Sequence, residues 1–133
     1  MNGFSLAFQA NLYEDFGIKE SDVQRIPIRA RPLSSVLEEH LPAGRSIQLL
    51  CIDVEGLELQ VLASNNWDKH RPAVVMMEHH QEMTESLYEL PVCDFLKERS
   101  YRLICKLPNE LIFLHTDFRL NQSGMISPLG AAR

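Results

Sequence analysis

The sequence predicts an α/β fold in which a parallel pair of strands is followed by an antiparallel hairpin. Two apolar runs, "IQLLCIDV" (Ile47 to Val54) and "AVVMM" (Ala73 to Met77), have strand length and no clean alternation, as strands covered on both faces do. The stretch between them holds a helix, and a strand–helix–strand connection of that length implies a right-handed parallel crossover. Near the end, "YRLICKL" and "ELIFLHT" are separated by a short turn at "PNE", which makes them an antiparallel hairpin.

The elements follow in order. Phe4, Leu6, Phe8, Leu12 and Phe16 give residues 1–22 a weakly amphipathic start compatible with a helix stopped at Gly17. "RIPIRA", Arg25 to Ala30, alternates around Pro27, which restricts it to an edge strand or an extended connection. Leu33, Val36, Leu37 and Leu41 are at helical spacing, with Pro32 at the first turn and Pro42 and Gly44 at the end. After the first apolar strand Gly56 marks a turn. Leu57, Val61 and Leu62 then predict a helix ending in the polar loop Ser64 to Asn66, with Asp68 beyond it. A second amphipathic helix is expected from Thr84, as N-cap, to Arg99, with Leu87, Tyr88, Val92, Phe95 and Leu96 inward and Pro91 interrupting it. The hairpin closes the core. A single domain over residues 1–120 is expected, and the polar, glycine-bearing tail 121–133 is expected to be disordered.

Composition narrows the function. The chain has 133 residues, 45% hydrophobic and 23% charged, within ordinary globular usage. A net charge of −5 disfavours a nucleic-acid or anionic-membrane surface, which needs clustered Lys and Arg, so the expected partner is a small molecule or a protein. Cys51, Cys93 and Cys105 are odd in number and sit in or beside apolar stretches, as reduced thiols in a cytoplasmic protein do. The start lacks the basic and unbroken apolar regions of a signal peptide, and no stretch approaches 18 apolar residues.

In an open α/β sheet, ligands bind beyond the carboxyl ends of the strands, and the chemistry-bearing residues cluster there. Asp53 closes the first apolar strand; Glu78, His79 and His80 close its neighbour. Strands about 4.8 Å apart let such side chains converge. Glu55 and Glu58 fall at the start of the intervening helix, where its dipole favours negative charge and a purely structural role suffices. Asp53 is less easily structural, because a charge at the end of a buried strand is seldom left unpaired. His79 and His80 are successive on a strand, so at most one faces the site. His40, His70 and His115 are ordinary structural histidines on this reading.

Metal-ligand spacings such as His-x-x-x-His or Cys-x-x-Cys are missing, as is a Gly-x-Ser-x-Gly elbow, so no metal site is assigned. No two of the six glycines stand close enough for Gly-x-Gly or a phosphate loop. Trp67 is expected to pack at its helix end, with Arg71 as a cation–π partner.

"IQLLCIDVEGLELQVLASNNWDKHRPAVVMMEHH" resembles the FkbM-like S-adenosylmethionine-dependent methyltransferases. Their later half carries a strand ending in Ile-Asp-Val-Glu-Gly, a helix, a Trp, an Arg-Pro step and a strand ending in Glu. Here these are Ile52 to Gly56, Trp67, Arg71-Pro72 and Glu78, and the similarity extends over roughly residues 20 to 116. The resemblance implies a Rossmann-like methyltransferase sheet and transfer of a methyl group to a hydroxyl of a sugar or natural product. It implies that Asp53 and Glu55 lie beside the transferring methyl and that Asp53 and Gly56 contact the cofactor. Glu78 stands on the next strand, and His79 or His80 is a candidate to share the proton chemistry.

Family members begin with a strand and glycine-rich turn for the cofactor, in units of roughly 30 residues or more; only about 25 residues precede "RIPIRA". The chain is therefore expected to be a truncated sheet holding the acceptor side, with the first apolar strand left as an edge that the N-terminal segment or a second copy covers. Three readings stand: a FkbM-type O-methyltransferase relative, a non-catalytic remnant or dimeric interaction module, and a carboxylate/histidine metal-dependent hydrolase.

Overall fold

The computed structural model describes residues 16–24, 26–79, 90–120 and 126–129. A 3₁₀ turn at Glu20–Asp22 precedes α1 (Leu33–His40). Then come β1 (Leu49–Ile52), α2 (Glu58–Ala63), β2 (Val74–Glu78), α3 (Pro91–Lys97), β3 (Tyr101–Lys106), β4 (Glu110–His115), β5 (Phe118–Leu120) and β6 (Ile126–Pro128). β1 to β4 form one mixed sheet in the order β1-β2-β4-β3, and β5 and β6 a separate antiparallel pair. Among the described residues no helix is long and apolar enough to cross a membrane.

β1 and β2 are parallel, with Leu49 opposite Val74 and Ile52 opposite Met77. β4 runs antiparallel to β3, as the turn at Pro108 and Asn109 requires, and antiparallel to β2 on its other side. A β-bulge between Leu103 and Cys105 shifts the β3 register.

The sheet's two faces differ in what covers them. On one, Leu50, Ile52, Val75, Met77, Leu111, Phe113 and Tyr101 pack with Leu62 of α2 and Val92 and Leu96 of α3 to make the core. The other face is apolar as well: Val74 and Leu114 are buried, Met76 and Ile112 half-buried, and Leu49 is 54% exposed. Apolar residues on both faces explain why the strand sequences do not alternate.

Local chemistry sets the helix ends. Pro32, with ψ 141°, is the N-cap residue of α1, and the first two amides of that helix find their acceptors on Ser64. The Leu33 amide donates to Ser64 Oγ at 2.9 Å and the Ser34 amide to the Ser64 carbonyl at 3.2 Å. Trp67 Nε1 donates to the Leu62 carbonyl at 2.8 Å, satisfying a terminal carbonyl of α2. Ser100, with φ 66°, takes the left-handed conformation just past α3 that more often falls to glycine.

An aromatic series crosses the core. Trp67 meets Phe95 and Tyr101 edge-on at 6.0 and 5.6 Å, and Tyr101 meets His115 at 4.9 Å. The Tyr101 hydroxyl donates to the Pro72 carbonyl at 2.6 Å, fastening the far strand of the sheet to the residue that leads into β2. Burial pushes the Tyr101 phenol well above the usual tyrosine range.

Several expectations need correction. Pro91 does not interrupt α3: it occupies the first turn, where a missing amide costs nothing, and Leu90 before it is extended at ψ 131°. Thr84 and the segment around it lie outside the described residues, as do residues 1–15. Of the two readings of "RIPIRA", edge strand or connection, the described part is a connection, with Ile26 and Ile28 71% and 70% exposed. Within the tail, Ile126–Pro128 form β6 against Phe118–Leu120, and residues 121–125 and 130–133 lie outside the described residues. Arg71 makes no cation–π contact with Trp67. Its Nε donates to the Trp67 carbonyl at 2.7 Å, and the stacked cation is Arg99, 3.6 Å above the Phe95 ring.

Replacing Tyr101 by Phe removes one buried hydrogen bond and orphans the Pro72 carbonyl, so chemical denaturation should show a loss of about 1–2 kcal/mol at neutral pH. The folded state holds the phenolic proton more tightly than the unfolded chain. Wild-type stability should therefore fall as pH rises past about 10, and part of that fall should vanish in Tyr101→Phe.

Candidate functional site

The parallel pairing of β1 and β2 ends with Ile52 beside Met77, so one further residue on each strand brings Asp53 next to Glu78. The chain then turns sharply. Glu55 and Gly56 both have positive φ, 55° and 89°, and the backbone reverses into α2 within a few residues. Glycine adopts this region freely, while Glu55 does so at a cost of about 1 kcal/mol or more. Expected at a helix start, Glu55 instead sits in this left-handed turn.

Glu58, the first residue of α2, holds the turn together. Its Oε1 accepts the Gly56 amide at 3.0 Å and lies 3.4 Å from the Val54 amide. A carboxylate at a helix N-terminus is favoured on electrostatic grounds, and here it also pins the backbone on both sides of Glu55.

The result is a cluster. Asp53, Glu55 and Glu78 each present a carboxylate oxygen, and these atoms all lie within 4.8 Å of one another. Asp53 is exposed; Glu55 and Glu78 are half-buried. Three hard oxygen donors at this spacing can accept hydrogen bonds from a hydroxyl, face a cationic group, or ligate a divalent cation. Of the sequence candidates, the structure thus unites Asp53, Glu55 and Glu78, with Gly56 forming the turn between them.

His79 does not belong to that group. It follows Glu78 by one residue, its amide donates to the Asn109 carbonyl at 2.7 Å, and strand alternation sends its side chain to the face opposite Glu78. His80 lies outside the described residues. His70 and His115 are buried, and His115 Nδ1 accepts the Asp117 amide at 3.2 Å, a structural role.

One acid was missed by sequence reasoning. Glu110 is directly opposite Glu78 in the β2–β4 register, so the two side chains share a face. The signal was present: a two-residue turn fixes the hairpin, and the first residue of β4 must then fall at the acidic end of the sheet.

A well-formed cleft among the described residues is elsewhere. About 810 Å³ in volume, it lies at the opposite, N-terminal ends of β1 and β2, between Leu37, Arg45, Ile47, Lys69, His70 and Arg71, and the acidic cluster lines no part of it. Lys69 donates to Glu38 at 2.9 Å across this cleft, which holds the Glu38 carboxyl below its ordinary value.

Comparison with known proteins adds one finding. Residues 2–103 match the family model described as the methyltransferase FkbM domain, a span that includes β1, α2, β2 and all three clustered carboxylates. No curated protein and no solved structure matches the chain.

Like charges this close repel, so the cluster should cost stability. Asp53→Asn is expected to raise unfolding free energy by about 0.5–1 kcal/mol at low salt. The gain should shrink in 1 M salt, where screening acts over about 3 Å. Denaturant titrations at the two ionic strengths measure both effects.

Proposed function

The chain belongs to the FkbM methyltransferase domain family, and we propose that it forms the acceptor side of an S-adenosylmethionine-dependent O-methyl transfer. The observation that carries this reading is the convergence of Asp53, Glu55 and Glu78 within 4.8 Å at the carboxyl end of a parallel strand pair. On this reading the β1-β2-β4-β3 sheet is part of a Rossmann-like methyltransferase sheet, and the acceptor is a hydroxyl of a sugar or natural product.

The donor chemistry of the rim fits the cofactor's cationic groups: carboxylates favour a sulfonium and an ammonium, and the Gly56 turn has no side chain to keep a ligand from its backbone. Asp53 and Gly56 would hold it there. When bound, S-adenosylmethionine supplies an electrophilic methyl group.

The work left to this chain is at the acceptor. A hydroxyl donating to Asp53 gains electron density on its oxygen, and the carboxylate takes the proton as the new bond forms. Glu55, fixed in its turn by Glu58, and Glu78, fixed by the β2 register, flank Asp53 and can accept further hydrogen bonds that orient the acceptor toward it. His79, on the other face, is left as a support to the strand end rather than as a base. The free state of Cys51, Cys93 and Cys105 supports a reducing, cytoplasmic setting.

A second reading, a non-catalytic interaction module, is favoured by one observation: among the described residues β1 is an apolar edge strand, with Leu49 54% exposed. Calorimetry with S-adenosylmethionine separates the two. Micromolar binding that Asp53→Asn weakens by about tenfold, the loss of one close charge contact, supports methyl transfer. Absence of heat at millimolar cofactor would sink it and leave the module.

A further inference from the structure

A second group of polar side chains stands at the end of the sheet opposite the acidic rim. The cleft of about 810 Å³ there is walled by the end of α1, the loop 42–47 and the segment 68–71. Leu37, Leu41 and Ile47 give it an apolar lining, and Arg45, Lys69 and Arg71 stand about it with Glu38 and Asp68. In a chain of net charge −5, this cleft carries one positive charge in excess.

Two of the three cations are already matched. Lys69 donates to Glu38 at 2.9 Å and Arg71 lies 3.5 Å from Asp68, whereas the exposed Arg45 has no side-chain partner among the described residues. Next to it in the chain, the Ser46 hydroxyl accepts from Gln48 Nε2 at 3.0 Å, which leaves its own proton free to donate. His70, which also lines the cleft, supplies an independent sign. It is 6% exposed, its amide donates to the Asn66 carbonyl at 2.8 Å and its carbonyl accepts Asn65 Nδ2 at 3.0 Å, yet the buried Nε2 has no hydrogen-bond partner. Buried polar atoms are seldom left so. The ring also acts on the α1 wall: the Lys69 hydrogen bond and charge first, and the His70 charge after them, hold the Glu38 carboxyl below its ordinary value.

We propose that this cleft binds a small organic carboxylate with an apolar body, held by the Arg45 guanidinium, the Ser46 hydroxyl and His70 Nε2. The planar fork of an arginine matches the two oxygens of a carboxylate. One excess positive charge answers one negative charge, and Leu37, Leu41 and Ile47 receive the hydrocarbon part. A half-turn of the imidazole about χ2 exchanges its two edges without changing its volume, which gives the buried nitrogen a way to face the ligand. In the tautomer with its proton on Nε2, the ring then donates to the carboxylate and the missing partner is found. Asp53, Glu55 and Glu78 have no part in this site, and the proposal does not rest on methyl transfer.

Titration of the full chain with benzoate, followed by the nuclear magnetic resonance signals of the His70 ring, tests it. Saturable binding at millimolar benzoate or below is expected, with a shift of the His70 Nε2 signal. Benzamide has the same shape without the charge and acetate has the charge without the apolar body, so each should bind about tenfold more weakly or worse. Arg45→Gln changes only an exposed side chain, and it should weaken benzoate about tenfold through the loss of one charge-assisted contact. Ser46→Ala should weaken it by less. No saturable binding, benzamide binding as well as benzoate, an affinity indifferent to Arg45→Gln, or a His70 ring whose signals stay in place at saturation would overturn the proposal. Tighter binding of phenyl phosphate than of benzoate would also overturn it, by giving the cleft to phosphate esters.

Discussion

Parallel pairing between β1 and β2 is the constraint on which the rest of this structure hangs. Parallel strands point their carboxyl ends the same way, so whatever residues terminate them must share a rim. In this chain both terminators are acidic, Asp53 and Glu78, and the backbone between them has to leave β1, reverse and enter α2 almost at once. The positive φ of Glu55 and Gly56 is the geometric solution. It is also what throws a third carboxylate into the same space. A strand ladder, a left-handed turn and the Glu58 clamp together over-determine an arrangement that electrostatics alone would disperse, a combination more often met at functional sites than in ordinary turns.

The opposite edge of the sheet is secured by different means. Tyr101 reaches beneath the sheet to the Pro72 carbonyl, and its ring stands between Trp67 and His115. Because Pro72 leads directly into β2, the edge strand β3 and the start of β2 are held together independently of the ladder through β4. The acidic rim is thus built at one end of a strand whose other end is fastened by a buried donor. Strong packing far from the rim offsets the repulsion within it.

Much of this was legible in the residues. The two apolar runs, the long connection and the short turn specify parallel pairing followed by a hairpin through local rules alone, and they bring Asp53 and Glu78 together without any knowledge of side-chain contacts. The family resemblance carried by Ile52 to Gly56, Trp67, Arg71-Pro72 and Glu78 is matched by the domain assignment over residues 2–103. What eluded sequence reasoning depends on longer-range geometry. The left-handed state of Glu55 is unusual for a non-glycine residue and is supported by Glu58, which accepts from the amides on either side of it. Pro91 reads equally as a breaker or as a first-turn residue until the extended Leu90 before it is known. The choice of Arg99 over Arg71 as the stacked cation follows from where α3 lies against the sheet, which no local pattern encodes. Glu110 was hidden only because the hairpin register was not carried through to its last pair.

α1 contributes no buried residue of its own, yet its first two amides terminate on one residue, Ser64, whose hydroxyl in turn donates to the Val61 carbonyl at 2.7 Å. The leading helix is consequently a dependant of the following one. Its apolar residues Leu33, Val36 and Leu37 are only half-buried, so loss of order at Ser64 would remove the acceptors of its first turn and leave it with partial packing and the Lys69–Glu38 ion pair. Two segments some thirty residues apart are thereby coupled in large part through one serine.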